Sequence, residues 1–240
     1  MGLFIGSLLG LFYAFITVNL RAEQGVSGIG IYLFGLGMSD LLFQKLVGTP
    51  RPILPFAIVR IPVLADIPVI GEMFFEHTLI VYVAFLLVPI GTFIINRTTY
   101  GMNVRAVGEN PEAVDSLGVS IAAVRYSTLI IGNSMAGLAG AALAIELGIF
   151  QQNLTNAMGF IAIALVYFGA WRPLGVMAGS LVFGMIASIV LQCKTLGIIP
   201  RSASDLAAMA PAVITILALV VVASRFRQPT ALTKPYIRGN

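Results

Sequence analysis

The stretch that decides the fold is TLIVYVAFLLVPIGTFIIN, Thr78 to Asn96, which runs 19 residues without one Asp, Glu, Lys or Arg. A helix rises about 1.5 Å per residue, so roughly 20 apolar residues cross the hydrocarbon core of a bilayer. The stretch therefore predicts a membrane span. Six further apolar runs, residues 2–20, 26–46, 126–149, 159–170, 173–192 and 208–224, repeat the pattern. The predicted fold class is all-α, a polytopic transmembrane helical bundle with about seven membrane segments. The first run lacks the basic n-region of a signal peptide and reads as a retained span.

Composition agrees. Apolar residues make up 58% of the 240 positions and charged residues 10%, against about 25% charged in an ordinary soluble domain. Such a chain cannot cover a water-facing surface, so membrane lipid is its expected solvent. The formal charge of +4 is spread over 14 Lys and Arg set between apolar runs. No basic cluster points to nucleic acid, which is not expected as a partner. A single cysteine, Cys193, forms no intrachain disulfide, and no Cys/His spacing suits a metal, so neither a metal nor a cofactor is expected.

The fifth run, Gly159 to Ala170, is too short for a full crossing and is followed by Trp171-Arg172-Pro173. It reads either as a broken helix packed inside the protein or as a short or tilted ordinary span. Alternating the seven runs across the bilayer divides the basic residues 9 against 5. Arg21, Arg97, Arg105, Arg125, Arg172, Arg225, Arg227, Lys234 and Arg238 fall on one face, and Lys45, Arg51, Arg60, Lys194 and Arg201 on the other. The richer face is expected to be cytoplasmic. That makes the chain a multi-pass protein of the cell membrane, inner or plasma, with a cytoplasmic C-terminus. Residues 47–77 form a proline-punctuated outer loop. Small residues four apart, at Gly6 and Gly10, at Gly132, Ala136 and Gly140, and at Gly175 and Gly179, permit close helix contacts, within a compact bundle or with another subunit.

Outward from the decisive span lies Arg97 to Arg125, the longest polar segment between runs, which reads as two short helices. Asn110-Pro111 is a sound helix start, since Asn caps exposed amides and proline suits the first helical position. Gly118 supplies the stop. The resulting short amphipathic helix is small enough to seat in a groove of another protein.

At this point the chain resembles the permease subunits of ABC importers, in the branch for nucleosides, simple sugars and related solutes within the branched-chain amino acid/ribose-type permease superfamily. The residues that carry the resemblance are Leu20-Arg21-Ala22-Glu23-Gln24-Gly25-Val26-Ser27-Gly28, Arg105 to Gly118, and Gly159-Phe160-Ile161-Ala162 through Phe168-Gly169-Ala170-Trp171-Arg172-Pro173. Pro229, Pro235 and Tyr236 look like the tail of nucleoside-type permeases, and Asp66 to Gly71 is similar to their outer loop. The resemblance covers essentially all 240 residues as a single transmembrane permease domain, residues 1–240, with residues 97–125 as its cytoplasmic coupling loop. It also implies further spans ahead of residue 2, so the chain is expected to be part of a working permease.

The function implied is import of a nucleoside or simple sugar, energised by a separate ABC ATPase subunit, with a second permease subunit and an extracytoplasmic substrate-binding protein as partners. The chain has no Gly-x-x-x-x-Gly-Lys-Ser/Thr loop to cradle phosphate, so it is expected to be a transport subunit and not an enzyme. Gly108, Glu109, Asn110, Pro111, Glu112, Ala113, Asp115 and Gly118 match the position of the coupling helix. The alternative is an ion-coupled secondary transporter of a small polar solute, for which an intramembrane acid would be needed.

Asp40, inside the second run, either lines the pathway or bonds locally near Gln44. Asn133 and Ser134 in the fourth run and Phe160 in the fifth offer amide, hydroxyl and ring contacts to a nucleoside, against ordinary helix packing. Glu146 with Gln151, Gln152, Asn153 and Asn156 forms a polar patch at the outer end of the fourth run, and His77 marks a span boundary.

Overall fold

The structure is a computed structural model and describes residues 1–62, 74–155, 158–200, 206–207, 209–211, 213–214, 216–217 and 228–236. Its helices are α1 Gly2–Ala14, α2 Gln24–Leu42, α3 Leu79–Arg97, α4 Thr99–Glu109, α5 Pro111–Ser116, α6 Ile121–Leu147, α7 Met158–Phe168 and α8 Pro173–Thr195. Two π-helical turns, Phe15–Asn19 and Phe43–Val47, extend α1 and α2. Five helices, counting those extensions, are long and apolar enough to span a membrane, and α7 is a shorter apolar one. The expected run at 208–224 falls largely outside the described residues, as does Asp66 to Gly71. The count of seven is therefore five full-length helices and one short helix among the described residues.

The chain forms two units. Residues 1–87, 94–156 and 230–240 make the first, and residues 88–93 and 157–229 the second.

In the first unit α1 packs antiparallel along α6. Contact this close requires residues without side chains. A Cβ on Gly10 would lie 2.9 Å from Asn133 Cβ, one on Gly2 would lie 2.5 Å from the Gly137 carbonyl oxygen, and one on Gly6 would collide with the Asn133 carbonyl. In lipid, where apolar burial drives nothing, such small-residue seams let backbones approach. Gly6 and Gly10 serve as expected. On α6 the seam with α1 runs through Leu129, Asn133 and Gly137, while Gly132 and Gly140 meet nothing among the described residues of this chain, which leaves them to a subunit contact and not to the bundle. A spacing of four marks both faces of a helix equally, and only the contact with α1 selects one.

The ends of α1 and α6 are tied by polar contacts. Tyr126 Oη donates to Asn19 Oδ1 at 2.6 Å, and Ser7 and Ser134 share a hydroxyl bond of 2.7 Å midway. The turn from α1 to α2 explains the motif at residues 20–28. Arg21 takes a left-handed φ of 55°, and the Glu23 carboxylate accepts from the amides of Gly25 at 2.9 Å and Val26 at 2.7 Å, capping α2. Those two bonds, Val26 first and Gly25 second, hold the Glu23 carboxyl below the usual glutamate range.

The other end of this unit carries two small antiparallel pairs. β1 Arg51–Pro52 pairs with β4 Ile149–Phe150, and β2 Ile58–Arg60 with β3 Glu76–Thr78. The register sets Arg60 opposite Glu76, whose charged groups meet at 2.8 Å. Tyr82 Oη reaches back to the Val59 carbonyl at 3.0 Å, and Thr78 Oγ1 donates to Glu146. The segments bearing Arg21, Arg97, Arg105, Arg125 and Lys234 thus gather at one end of this unit. Those bearing Lys45, Arg51 and Arg60 gather at the other, as the alternation of runs predicts.

In the second unit α7 and α8 form a tight hairpin. Eleven residues of helix span about 16 Å, half a hydrocarbon core. The chain reverses at residues 169–172, where Ala170 and Trp171 take φ of 52° and 57°. A Cβ on Gly169 would stand 2.7 Å from the Gly175 carbonyl carbon, and one on Gly179 would stand 2.6 Å from Phe168 Cδ1. Gly175 and Gly179 therefore bring the hairpin arms together, and the Tyr167 and Trp171 rings meet edge to face at 4.9 Å. Pro173 opens α8 at a position where no helical amide is lost.

Candidate coupling site

The segment between α3 and α6 folds as two short helices, as its sequence predicts. Thr98 Oγ1 accepts the Gly101 amide at 3.1 Å and starts α4. Gly101 lies so near α3 that a Cβ there would stand 2.5 Å from Ile95 Cα, which makes the turn out of the span sharp. Asn110 Oδ1 accepts the Ala113 amide at 3.1 Å, Pro111 occupies the first turn of α5, and Gly118 closes it with φ of +80°. Ser120 then caps α6, its Oγ accepting from Ala123 at 3.3 Å. That cap starts α6 at Ile121, so Arg125 sits in the helix and not in the connecting loop.

A six-residue helix is marginal by itself. This one is held by a small apolar core of Val107, Val114, Ile121 and Val124, drawn from α4, α5 and α6. With Val114 turned inward, α5 shows Glu112, Ala113 and Ser116 outward. The adjoining Leu117 is 82% exposed. The expected residues are thereby brought together: Gly108, Glu109 and Asn110 form the α4–α5 corner, Pro111, Glu112, Ala113 and Asp115 the helix, and Gly118 its end.

A further group, not foreseen for this site, comes from the tail. Thr230, Ala231, Lys234, Pro235 and Tyr236 return to this corner and, with Arg125, Glu109 and Glu112, line a cleft of about 400 Å³. The Tyr236 ring packs against the small core and its Oη donates to Asp115 Oδ2 at 3.1 Å. A tyrosine in the tail beyond the last apolar run was the available signal, but pairing across 121 positions is not legible in one sequence.

The other candidates do not join this group. Asn133 Nδ2 donates to the Leu129 carbonyl at 2.9 Å and Ser134 Oγ to the Ile130 carbonyl at 2.6 Å, both within α6, and both residues stand where α6 meets α1. Asp40 Oδ1 is buried and makes no hydrogen bond among the described residues, so this oxygen does not form the expected local bond to Gln44. Phe160 lies in the second unit, 55% exposed on α7.

Comparison with known proteins follows the same lines. The family described as branched-chain amino acid transport system / permease component matches residues 1–223. The chain is 34% identical over 241 residues to the guanosine ABC transporter permease protein NupQ of Bacillus subtilis, covering 98% of this chain and 75% of that protein. It is 32% identical over 242 residues to the nucleoside ABC transporter permease protein NupC of Lactococcus lactis, covering 99% and 76%. No solved structure matches it. With membrane-length helices and a family match over nearly its whole length, the chain belongs to the branched-chain amino acid transport system / permease component family and is a multi-pass membrane protein.

Proposed function

We propose that this chain passes a nucleoside across the membrane as one permease of an ABC importer. On this reading an ATPase subunit docks on Gly108 to Gly118 from the cytoplasm. The observation that carries the docking site is α5 itself, a short helix braced from behind by Val114 while Ala113 and the 82% exposed Leu117 face outward. To such a subunit Leu117 offers an apolar contact beside a helix that is already fixed from behind. The similarities to permeases named for guanosine and nucleosides support the substrate class, with simple sugars as the neighbouring one. They favour ATP-driven transport over the ion-coupled alternative. A second permease and an extracytoplasmic binding protein complete the assembly, and the end bearing the tail and α5 faces the cytoplasm. Of the candidates for the pathway, Asp40 is retained, because an intramembrane carboxylate oxygen without a bond needs water, a solute or a partner helix.

The test is uptake of labelled guanosine by cells producing the transporter with its ATPase and binding protein, competed with excess nucleosides or ribose. Competition by nucleosides alone is expected, and competition by ribose moves the substrate to sugars. Ala113→Arg places charged bulk on the docking face, so it is expected to abolish ATPase co-purification and reduce uptake to background. Full retention of both removes α5 from the docking role.

A further inference from the structure

We infer that Thr230–Tyr236 is a positioning strap that fixes the pose of α5, and so sets how tightly ATP hydrolysis is coupled to movement of the spans. This rests on the reading of α5 as the ATPase-docking helix.

Three elements meet under the strap. At the end of α4 the last carbonyls have no helical amide to accept from, the usual deficit of a helix terminus. The strap supplies the donors: the Ala231 amide bonds the Gly108 carbonyl at 3.0 Å, and Thr230 Oγ1 donates to the Glu109 carbonyl. The C-terminal cap of α4 therefore comes from a segment more than a hundred residues away. At α6, Arg125 Nη2 donates to the Lys234 carbonyl at 3.2 Å. At α5, Tyr236 Oη bonds Asp115 Oδ2 at 3.1 Å while its ring closes over Val107, Val114, Ile121 and Val124. The Ser116 hydroxyl bonds back within α5, to the Ala113 carbonyl, whereas the Tyr236 bond to Asp115 ties α5 to another element.

The mechanical consequence follows from size. Six residues of helix cannot pass a push from a docked partner to a span unless they move as one body with α4 and α6. Val114 supplies an apolar anchor, which is non-directional and lets a short helix roll. The Tyr236 bond is directional and opposes that roll. Without the strap the ATPase still finds the exposed face of α5, but its motion is spent rolling α5.

The experiment uses the full chain assembled with its ATPase and binding protein in proteoliposomes, and it reads solute transported per ATP hydrolysed. Tyr236→Phe keeps the ring and removes the bond, and Thr230→Val keeps the shape and removes the hydroxyl. Each is expected to lower the ratio about fivefold, the equilibrium weight of one hydrogen bond, with ATPase co-purification unchanged. Thr230→Ser restores the hydroxyl and is expected to restore the ratio. Amide exchange across Gly108 to Gly118 should quicken in Tyr236→Phe and Thr230→Val, and remain as in the parent chain in Thr230→Ser. An unchanged ratio in both Tyr236→Phe and Thr230→Val overturns the strap. So does loss of ATPase co-purification in these variants, which would make the tail part of the docking face itself. Ala113→Arg run in parallel separates the two ideas: if it abolishes docking while the tail variants keep full coupling, the strap alone fails, and if it docks and transports normally, the docking reading falls and the strap with it.

Discussion

At the scale of single residues, Glu23 shows how a charge earns its place beside a span. Its carboxylate takes two amides at the start of α2, where the helix dipole also favours an anion. Its carboxyl is held below the usual glutamate range in the folded chain, so the cap contributes stability that is fully present above the unfolded-state value and is lost as pH falls through the lowered one. The protection factors of the Gly25 and Val26 amides, each taken against the intrinsic exchange rate at the same pH, are therefore expected to stay high at neutral pH and to fall under acid. Glu23→Gln should exchange faster at neutral pH and lose most of that acid response. An acid response equal in both chains would assign it to another group. The motif at residues 20–28 was visible as a sequence signal, yet its cause was not. A left-handed Arg21 and a carboxylate folded back on Gly25 are backbone geometry, which residue types only permit.

At the scale of elements, helix pairing was half legible. Apolar runs located the spans to within a few residues, apart from α6, which starts five residues earlier than its apolar run because Ser120 caps it within the polar segment. Small-residue spacing located Gly6, Gly10, Gly175 and Gly179 at close contacts, while on α6 it is Gly137 that touches α1, and Gly132 and Gly140 meet nothing among the described residues of this chain. Substitution separates these faces. Gly6→Val or Gly137→Val forces bulk against backbone and is expected to cost about 1–3 kcal/mol or more, read as a fall in melting temperature in detergent. Gly132→Val is expected to leave the melting temperature of the isolated chain nearly unchanged. A fall for Gly132→Val equal to that for Gly137→Val would place the seam on the wrong face of α6.

At the scale of the whole molecule, the two ends of the first unit give a topology that labelling can read. In a chain with Cys193 replaced by serine, Ala231→Cys is expected to react with a membrane-impermeant maleimide only after the cytoplasmic side is opened. Pro52→Cys should react from outside in intact cells, and the reverse pattern would invert the orientation. The sequence by itself determined the membrane class, since 58% apolar and 10% charged residues leave lipid as the only adequate solvent. It also determined the spans through run length and the α4–α5 corner through Asn110, Pro111 and Gly118, because these features act over one or two helical turns. Which face of α6 meets α1, and the return of Thr230–Tyr236 to cap α4 and brace α5, were decided only by tertiary structure. Those contacts join residues more than a hundred positions apart, and the direction in which a side chain finds its partner is fixed by packing, not by local sequence.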